Sequence, residues 1–299
     1  MKNLKFIIIS LVVLALLIGA FFLVKGLNKE EEPAETSEAE EIVVMDDTND
    51  GVMTFAYSTD LGDMNFTKMS GSWSYPSDTT MPVNQDFVQK IADAFTKIVA
   101  TREIVGGDES AYGFEEPTLE ASVCTRTGHT RVYTVGAKNE MSGGYYLKYN
   151  DRVFMIDSAL VDAVSYSLFD AIPVGKLETI EADSITSLTV NGEEVPNKAG
   201  YCNIGITTVE NYKDKENYGF DGTEKKAVVT YNEKSDITDE NGNVTSTATV
   251  EKTYSFSYVE KDGMAYVMLP DDVCIYNATG TEALFTEPEA EATDDTAAE

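Results

Sequence analysis

The chain has 299 residues, 42% of them hydrophobic, which is enough to fill one large core or two small ones. It carries 52 acidic and 22 basic side chains, a formal net charge of −30, without a cluster of lysines or arginines. This charge repels a phosphate backbone, so nucleic acid is excluded as a partner.

An uncharged apolar run lies near the start of the chain at residues 6–24, with the sequence FIIISLVVLALLIGAFFLV. At ~1.5 Å per residue, a helix of this length crosses a ~30 Å hydrocarbon core, so we predict a transmembrane anchor. A cleaved signal peptide is the alternative, but bulky residues stand where a peptidase needs small ones. We expect the tail at residues 1–5 to stay inside and the acidic bulk to lie outside, as in a single-pass protein of the cell membrane.

Two acidic segments without an apolar period flank the rest of the chain. Residues 25–41 contain proline and seven glutamates, which is typical of a solvated linker. Residues 286–299 have the same character and predict a disordered tail. Between these segments we place two folded modules, at residues 42–173 and 174–285.

The first module begins with alternating strand-like runs from Ile42 and then carries two helical patterns. Asn84 can cap a helix through residue 99, because apolar side chains recur there at steps of three and four. A second helix is predicted over residues 158–171, and Pro173 ends it. Strands separated by Asn, Asp and Gly turns fill the region between the two helices.

The second module repeats part of the first. Residues 112–123 and 218–229 share a Tyr-Gly-Phe-acid start over the same eleven steps, and the run from Tyr145 aligns without a gap to the run from Ala265. The second copy has an inserted polar stretch and no helix comparable to residues 84–99. We therefore predict an α+β protein in which amphipathic helices pack on one face of antiparallel sheets, with two tandem related modules preceded by one transmembrane helix.

Several stretches occur in an order that resembles the bacterial family called domain of unknown function 4340, over about residues 50–190. They are GSWSYPSD, the amphipathic helix, YGFEEP, VYTVG and GYYLKYNDRVFMID. The resemblance implies an envelope protein on an N-terminal anchor, without an established activity, and in some relatives a link to ABC-type transporters and gliding-motility exporters. We assign structural roles to the motif residues that carry the resemblance, which are Trp73, Tyr112, Gly113, Phe114, Pro117, Gly136 and Tyr146.

Nucleophilic catalysis has weak candidates. His129, the one histidine, lies in a predicted turn five residues after Cys124, and no third group is evident, so a structural role is favoured for both. Cys124, Cys202 and Cys274 are far apart, and their disulfide state is left open. No catalytic residue and no cofactor is predicted.

Acidic residues offer two further possibilities. Asp46, Thr48 and Asp50 fit the first positions of a calcium-binding loop, but Tyr57 stands where a bidentate glutamate is needed, so a plain hairpin turn is the favoured interpretation. Carboxylate pairs for glycan hydrolysis cannot be located, because the adjacent residues 115 and 116 point opposite ways in an extended segment.

The leading functional hypothesis is therefore a non-catalytic module for cell-envelope interaction or for assistance of an ABC transporter. The expected partners are the lipid bilayer, through residues 6–24, and envelope or transporter proteins. A cell-wall glycan enzyme with unidentified carboxylates and a weak calcium-binding surface module are the alternatives.

Overall fold

The computed structural model of the protein describes residues 41–238 and 244–287. Its strands are β1 Ile42–Asp46, β2 Val52–Thr59, β3 Gly62–Met69, β4 Ser72–Ser74, β5 Lys97–Ile104, β6 Leu119–Thr125, β7 Thr130–Lys138, β8 Tyr145–Tyr149, β9 Arg152–Ile156, β10 Ile185–Val190, β11 Glu193–Glu194, β12 Gly205–Tyr212, β13 Lys225–Thr238, β14 Val244–Lys261, β15 Met264–Met268 and β16 Cys274–Thr279.

These strands form two antiparallel sheets. The first has nine strands in the order β1-β5-β9-β8-β7-β6-β2-β3-β4, and the second has seven in the order β11-β10-β13-β14-β15-β16-β12. Strand β6 shows the pattern behind the first sheet, because its side chains alternate between buried and less buried positions along Leu119–Thr125. One face of each sheet is therefore apolar and covers a core.

Helix α1 spans Gln85–Ala94, and the side chain of Asn84 caps it by accepting a hydrogen bond from the backbone N–H of Phe87 at 3.2 Å. The helix is shorter than the predicted 84–99 because the chain enters β5 at Lys97. That strand pairs with β1 on one side and with β9 on the other, so two ladders of backbone hydrogen bonds outweigh the helical spacing of its apolar residues.

Helix α2 spans Ala159–Val164, and a short 3-10 helix follows at Leu168–Ala171. The single helix predicted over residues 158–171 is therefore two short pieces. Three apolar residues of α2 are buried, so its inner face still lies on the core.

The predicted α+β fold class is wrong. In the described residues, α1 and α2 have 10 and 6 residues, against sheets of nine and seven strands, so the protein is mostly antiparallel β. The error has one main source: apolar residues after residue 94 recur at steps that fit a helix, while the sheet ladders that decide the conformation join residues far apart in sequence.

The two sheets repeat one strand order. From β5 the first sheet reads β5-β9-β8-β7-β6-β2-β3, and from β12 the second reads β12-β16-β15-β14-β13-β10-β11. Each strand of the second sheet thus takes the place of one strand of the first, in the same chain order. A 3-10 helix at Lys198–Asn203 precedes β12 where α1 precedes β5, and β1 and β4 are additions to the first sheet.

The second sheet also closes the core of the first module. Val209 on β12 and Cys274 and Tyr276 on β16 belong to the same buried cluster as the aromatic residues of the first sheet. At the rim of this contact, the Nζ of Lys213 donates a hydrogen bond to the Oδ2 of Asp78 at 2.6 Å. The two modules are therefore joined by apolar packing and by an ion pair.

Asp272 lies two residues before β16 and supports this junction. Its Oδ2 accepts a hydrogen bond from the Tyr276 hydroxyl at 2.6 Å, and its Oδ1 accepts from the backbone N–H groups of Val273 at 2.7 Å and Cys274 at 3.0 Å. Burial alone would raise the pKa of Asp272, but these hydrogen bonds outweigh it and hold the pKa below its usual range. The charged form is therefore favoured by folding.

We predict a pH-dependent defect for Asp272→Asn. Because the pKa is lower in the folded state than in the unfolded state, the carboxylate stabilises the fold above its ordinary pKa of about 3.9 and loses this effect as the pH falls through the folded pKa. Urea unfolding should show a loss of about 1 kcal/mol at pH 7 that shrinks toward pH 3. Exposed Asp271→Asn is the control, and an undiminished deficit at pH 3 would contradict the assignment.

The predicted anchor at residues 6–24 lies outside the described residues, as do residues 1–5, residues 25–40 of the linker and residues 288–299 of the tail. Within residues 41–238 and 244–287, none of the helices has the length and apolar character needed to cross a bilayer. The prediction of one transmembrane helix and a single-pass location in the cell membrane is therefore corrected: the described residues contain no helix that could span a bilayer.

Candidate functional site

The three calcium candidates do not converge. The Oδ1 of Asp46 accepts hydrogen bonds from the backbone N–H of Thr48 at 3.1 Å and from its hydroxyl at 2.6 Å, and these bonds lower the pKa of Asp46. Asp50 turns to a different loop, where its Oδ2 accepts from the backbone N–H of Thr127 at 3.3 Å. In the described part of the chain, no group of three or more His, Cys, Asp or Glu side chains could hold a metal ion. These residues stabilise turns.

Asp47, which lies between Asp46 and Thr48 in sequence, forms a buried ion pair with Arg131 that sequence reasoning missed. Asp47 is 9% exposed, and both of its oxygens accept hydrogen bonds from the guanidinium of Arg131, Oδ2 from Nε and Oδ1 from Nη2, each at 2.6 Å. Tyr149 accepts from Nη1 of Arg131 at 3.3 Å. The hydrogen bond to Asp47 raises the pKa of Arg131 above its usual range. The pair ties the β1–β2 turn, which contains Asp47, to β7, which contains Arg131. The two residues are 84 positions apart in sequence.

The residues weighed for catalysis are not brought into a catalytic arrangement. The sulfur of Cys124 lies 3.6 Å from the carbonyl oxygen of Thr125, while the exposed ring of His129 has its Nδ1 3.5 Å from the hydroxyl of Thr127. Glu115 and Glu116 are both exposed. All three cysteines are free, and burial raises the pKa of the Cys274 thiol to about 12, so it stays protonated at neutral pH.

Trp73 connects β4 to α1. Its ring is buried, its Nε1 donates to the Oε1 of Gln89 at 3.0 Å, and its backbone N–H donates to the Oε1 of Gln85 at 2.6 Å. The Nζ of Lys68 lies 5.4 Å from the ring centroid and also donates to Gln89. The backbone N–H and the ring N–H of Trp73 therefore both bind side chains of α1 and hold the helix against β4. This role is architectural.

The Tyr-Gly-Phe motif forms a corner beside β7 and β8. Tyr112 ends a 3-10 helix and stacks on Tyr146 at a centroid distance of 4.5 Å. Gly113 follows with φ +75°, a left-handed conformation, and a Cβ there would lie 2.7 Å from the backbone nitrogen of Ala137. A Cβ on Gly136 would lie 2.0 Å from the carbonyl oxygen of Tyr112. Both glycines thus allow the corner and β7 to touch backbone to backbone.

The other two motif residues lie at the same corner. Phe114 packs edge to face with Tyr112 at 6.1 Å between ring centroids, and the Nζ of Lys148 lies 5.8 Å from the Phe114 ring. Pro117 is half-buried and stands two residues before β6 begins. The two phenols of the motif are engaged in structural hydrogen bonds: the Tyr112 hydroxyl donates to the carbonyl oxygen of Gly106 at 3.2 Å, and the Tyr146 hydroxyl accepts from Nδ2 of Asn139 at 2.7 Å.

The second module has the same corner. Tyr218 ends a 3-10 helix, Gly219 follows with φ +87°, and the Tyr218 ring packs against Tyr266 at a centroid distance of 5.1 Å. In the gapless alignment of the two copies, Tyr266 takes the position of Tyr146. The motif therefore marks a repeated structural joint.

The largest difference between the modules is a projecting ribbon. In the first module the hairpin strands β6 and β7 have 7 and 9 residues, whereas their counterparts β13 and β14 have 14 and 18. We call residues 232–238 and 244–251 the ribbon. Three apolar side chains on it are exposed: Ile237 by 50%, Val244 by 58% and Val250 by 46%. The described residues of the inserted polar stretch, 233–238 and 244–246, lie in the ribbon.

The two faces of the ribbon differ in chemistry. Directly opposite residues of an antiparallel pair share a face, so the pairs Ile237↔Ser246, Ser235↔Ala248 and Glu233↔Val250 continue the core-facing side of Tyr231. The other face carries Lys234, Asp236, Thr247 and Thr249. The core-facing side of the sheet therefore continues past the core as a surface that carries the apolar Ile237 and Val250 and small side chains, with Glu233 paired to Lys252 at its base.

A cleft lies at the base of the ribbon. The ladder between β10 and β13 reaches its last pair at Ile185↔Tyr231, so β13 runs on without β10 beside it. The cleft has a volume of about 640 Å³, with the segment Thr179–Ser184 as one wall and Tyr231–Lys234 as the other. Carboxylates of Glu181 and Asp183 are exposed along the first wall.

The fold and these surfaces define a class: a duplicated antiparallel β-protein whose second copy bears a projecting ribbon. Residues 73–202 match the family model described as Domain of unknown function (DUF4340). The chain therefore contains a domain of this family, which confirms the family named from the sequence, although the match begins and ends later than residues 50–190. No curated protein and no solved structure matches the chain.

The matched residues run from the Trp73 strand to Cys202, so they cover the corner motif and enter the second module. The ribbon lies beyond them, in the half of the chain where the inserted stretch occurs. The envelope setting and the transporter link that the resemblance implies stay predictions.

Proposed function

We propose that this protein is a non-catalytic interaction module and that the ribbon is its principal contact surface. The observation that carries the proposal is the exposure of Ile237, Val244 and Val250 on a two-stranded ribbon that projects past its core. A two-stranded ribbon is at best marginally stable in water on its own, and its exposed apolar side chains are stabilised when a partner covers them. An accessory role beside an ABC-type transporter is one form of this proposal.

The comparison of the two modules supports this assignment. The β6–β7 hairpin shows that the same strand order closes with a short turn between Cys124 and Thr130, so the fold does not need the longer strands. The Tyr231 and Phe256 side chains, which belong to the second core, lie below the ribbon. The additional residues thus contribute surface rather than core.

The test is to replace residues 233–250 with residues 125–129, the turn of the first module. We expect the shortened chain to keep its thermal unfolding transition within a few degrees, because no core residue is removed. Crosslinking of the full chain in its own cells, followed by mass spectrometry, should identify a partner whose recovery falls at least about tenfold with the shortened chain, as expected when a buried interface is lost.

The matched control is Val43→Ser, which removes another half-exposed apolar side chain, on β1 of the nine-stranded sheet, whereas the ribbon belongs to the seven-stranded sheet. It should leave recovery of that partner unchanged. Equal recovery with the shortened and natural chains would refute the ribbon as the contact surface.

A further inference from the structure

The backbone groups of β13 point alternately toward β10 and toward β14. On the β10 side, the carbonyl oxygen of Lys226 accepts from the backbone N–H of Asn191 at 2.9 Å, and that of Thr230 accepts from the hydroxyl of Thr186 at 3.1 Å. On the β14 side, the carbonyl oxygen of Ile237 accepts from the hydroxyl of Thr245 at 2.9 Å. Even-numbered residues therefore direct their N–H and C=O groups toward β10.

This alternation identifies the hydrogen-bonding groups of the free edge. Because β10 pairs with β13 only as far as Tyr231, the next even-numbered residues, Asn232, Lys234 and Asp236, present N–H and C=O groups to the side on which β10 would continue. Three such residues offer the repeat that an added antiparallel strand needs. The chain before β10 turns away through a 3-10 helix at Ala182–Ser184, which leaves the cleft beside this edge.

The charge at this edge is negative. Glu181 and Asp183 are exposed in the cleft wall, and Glu233 is already paired with Lys252. Lys234 is the one basic side chain among the residues that line the cleft, and the chain as a whole has a net charge of −30. An approaching segment with lysines or arginines is attracted here, whereas an acidic segment is repelled.

We propose that an extended, basic segment of a partner protein adds to the free edge of β13 as a β-strand, in line with β10. This inference rests on the proposed interaction function and names the chemistry of the partner. The added strand would hydrogen-bond to Asn232, Lys234 and Asp236, and its basic side chains would face Glu181 and Asp183 in the cleft.

The probe is a fluorescein-labelled nonapeptide of alternating lysine and valine, and its binding to the full chain is measured by fluorescence anisotropy. We expect saturable binding that weakens as salt rises, and much weaker binding of the same peptide with glutamate in place of lysine. The double variant Glu181→Gln, Asp183→Asn should bind the lysine peptide several-fold more weakly, and this binding should depend less on salt.

Lys234→Pro tests strand addition itself, because it removes an edge N–H that faces away from β14. We expect a loss of about five- to tenfold in affinity, the value of one intermolecular hydrogen bond, even though the change also removes a positive charge that opposes the peptide. Thr249→Pro is the matched control. Thr249 lies directly opposite Lys234, so its N–H faces the outer edge of β14, and affinity should change less than about twofold.

Either of two results overturns the inference: equal binding of the lysine and glutamate peptides, or equal losses for Lys234→Pro and Thr249→Pro. Circular dichroism of both variants checks that the sheet is retained. If the ribbon-shortened chain loses its cellular partner while Lys234→Pro leaves peptide binding unchanged, the ribbon is a contact surface that does not work by strand addition. If shortening leaves the partner bound, the ribbon is not the contact surface, and the proposed function on which this inference rests fails.

Discussion

Replacing Gly136 with alanine is expected to lower the free energy of unfolding by about 3 kcal/mol, the upper part of the range for overpacking. The added Cβ would lie 2.0 Å from the carbonyl oxygen of Tyr112 and about as close to the Phe114 ring as a real contact allows, at 3.0 Å. A backbone atom cannot rotate away, so β7 and the corner must separate. The separation also strains the hydrogen bond from the hydroxyl of Thr118 to the carbonyl oxygen of Gly136, now 2.8 Å.

Gly128→Ala is the control for this change, and urea unfolding measures both. Gly128 has φ +86°, and a Cβ there would meet nothing within 4 Å, so its replacement carries only the cost of a left-handed alanine, about 1 kcal/mol. If both variants lose the same free energy, the close approach at the Tyr-Gly-Phe corner does not limit stability, and the architectural role of the motif is wrong.

Local features were predictable from the sequence because they depend on neighbouring residues. Asn84 caps α1 with the hydrogen bond that its position suggests, and Gly113 has the left-handed φ that a tight corner requires. The family, too, was evident from the order of short motifs, since each motif preserves a local conformation. These features need only the chemistry of a few consecutive side chains.

The fold class was not predictable in the same way. Residues 97–99 fit both an amphipathic helix and a strand. Their pairing with β1, and the pairing of the same strand with β9 from Ala100 onward, decide between the two. The partners come from residues 42–46 and from residues 152–156, so no window around the segment contains the deciding information. Strand propensity is largely a statement about such neighbours, which a single sequence does not reveal.

The ribbon illustrates a second limit of prediction from sequence. Its polar sequence has the composition of an ordinary loop, with serine, threonine, asparagine and acidic residues, yet it extends two strands past the core. The alternation of Ser235, Ile237, Ser246 and Ala248 on one face becomes visible only when the register of β13 and β14 is known. A candidate interaction surface made of paired strands therefore stays hidden until the pairing is known.

The second large effect is expected at the ion pair between Asp47 and Arg131. Arg131→Ala should lower the free energy of unfolding by about 3 kcal/mol, because Asp47 is 9% exposed and would keep a desolvated charge without its bidentate partner. The change also removes the hydrogen bond to Tyr149 and frees the β1–β2 turn from β7. Urea unfolding of the full chain at pH 7 measures the loss.

Two further variants separate charge burial from simple loss of contact. Arg126→Ala removes a guanidinium that is 68% exposed and 3.7 Å from Asp50, so it should cost less than about 0.5 kcal/mol. Adding Asp47→Asn to Arg131→Ala should restore part of the stability, since a neutral amide is cheaper to leave unpaired than a carboxylate. If the double variant is less stable than Arg131→Ala, the charge of Asp47 is not what makes the missing arginine costly, and the turn is held instead by packing around Tyr133 and Met45.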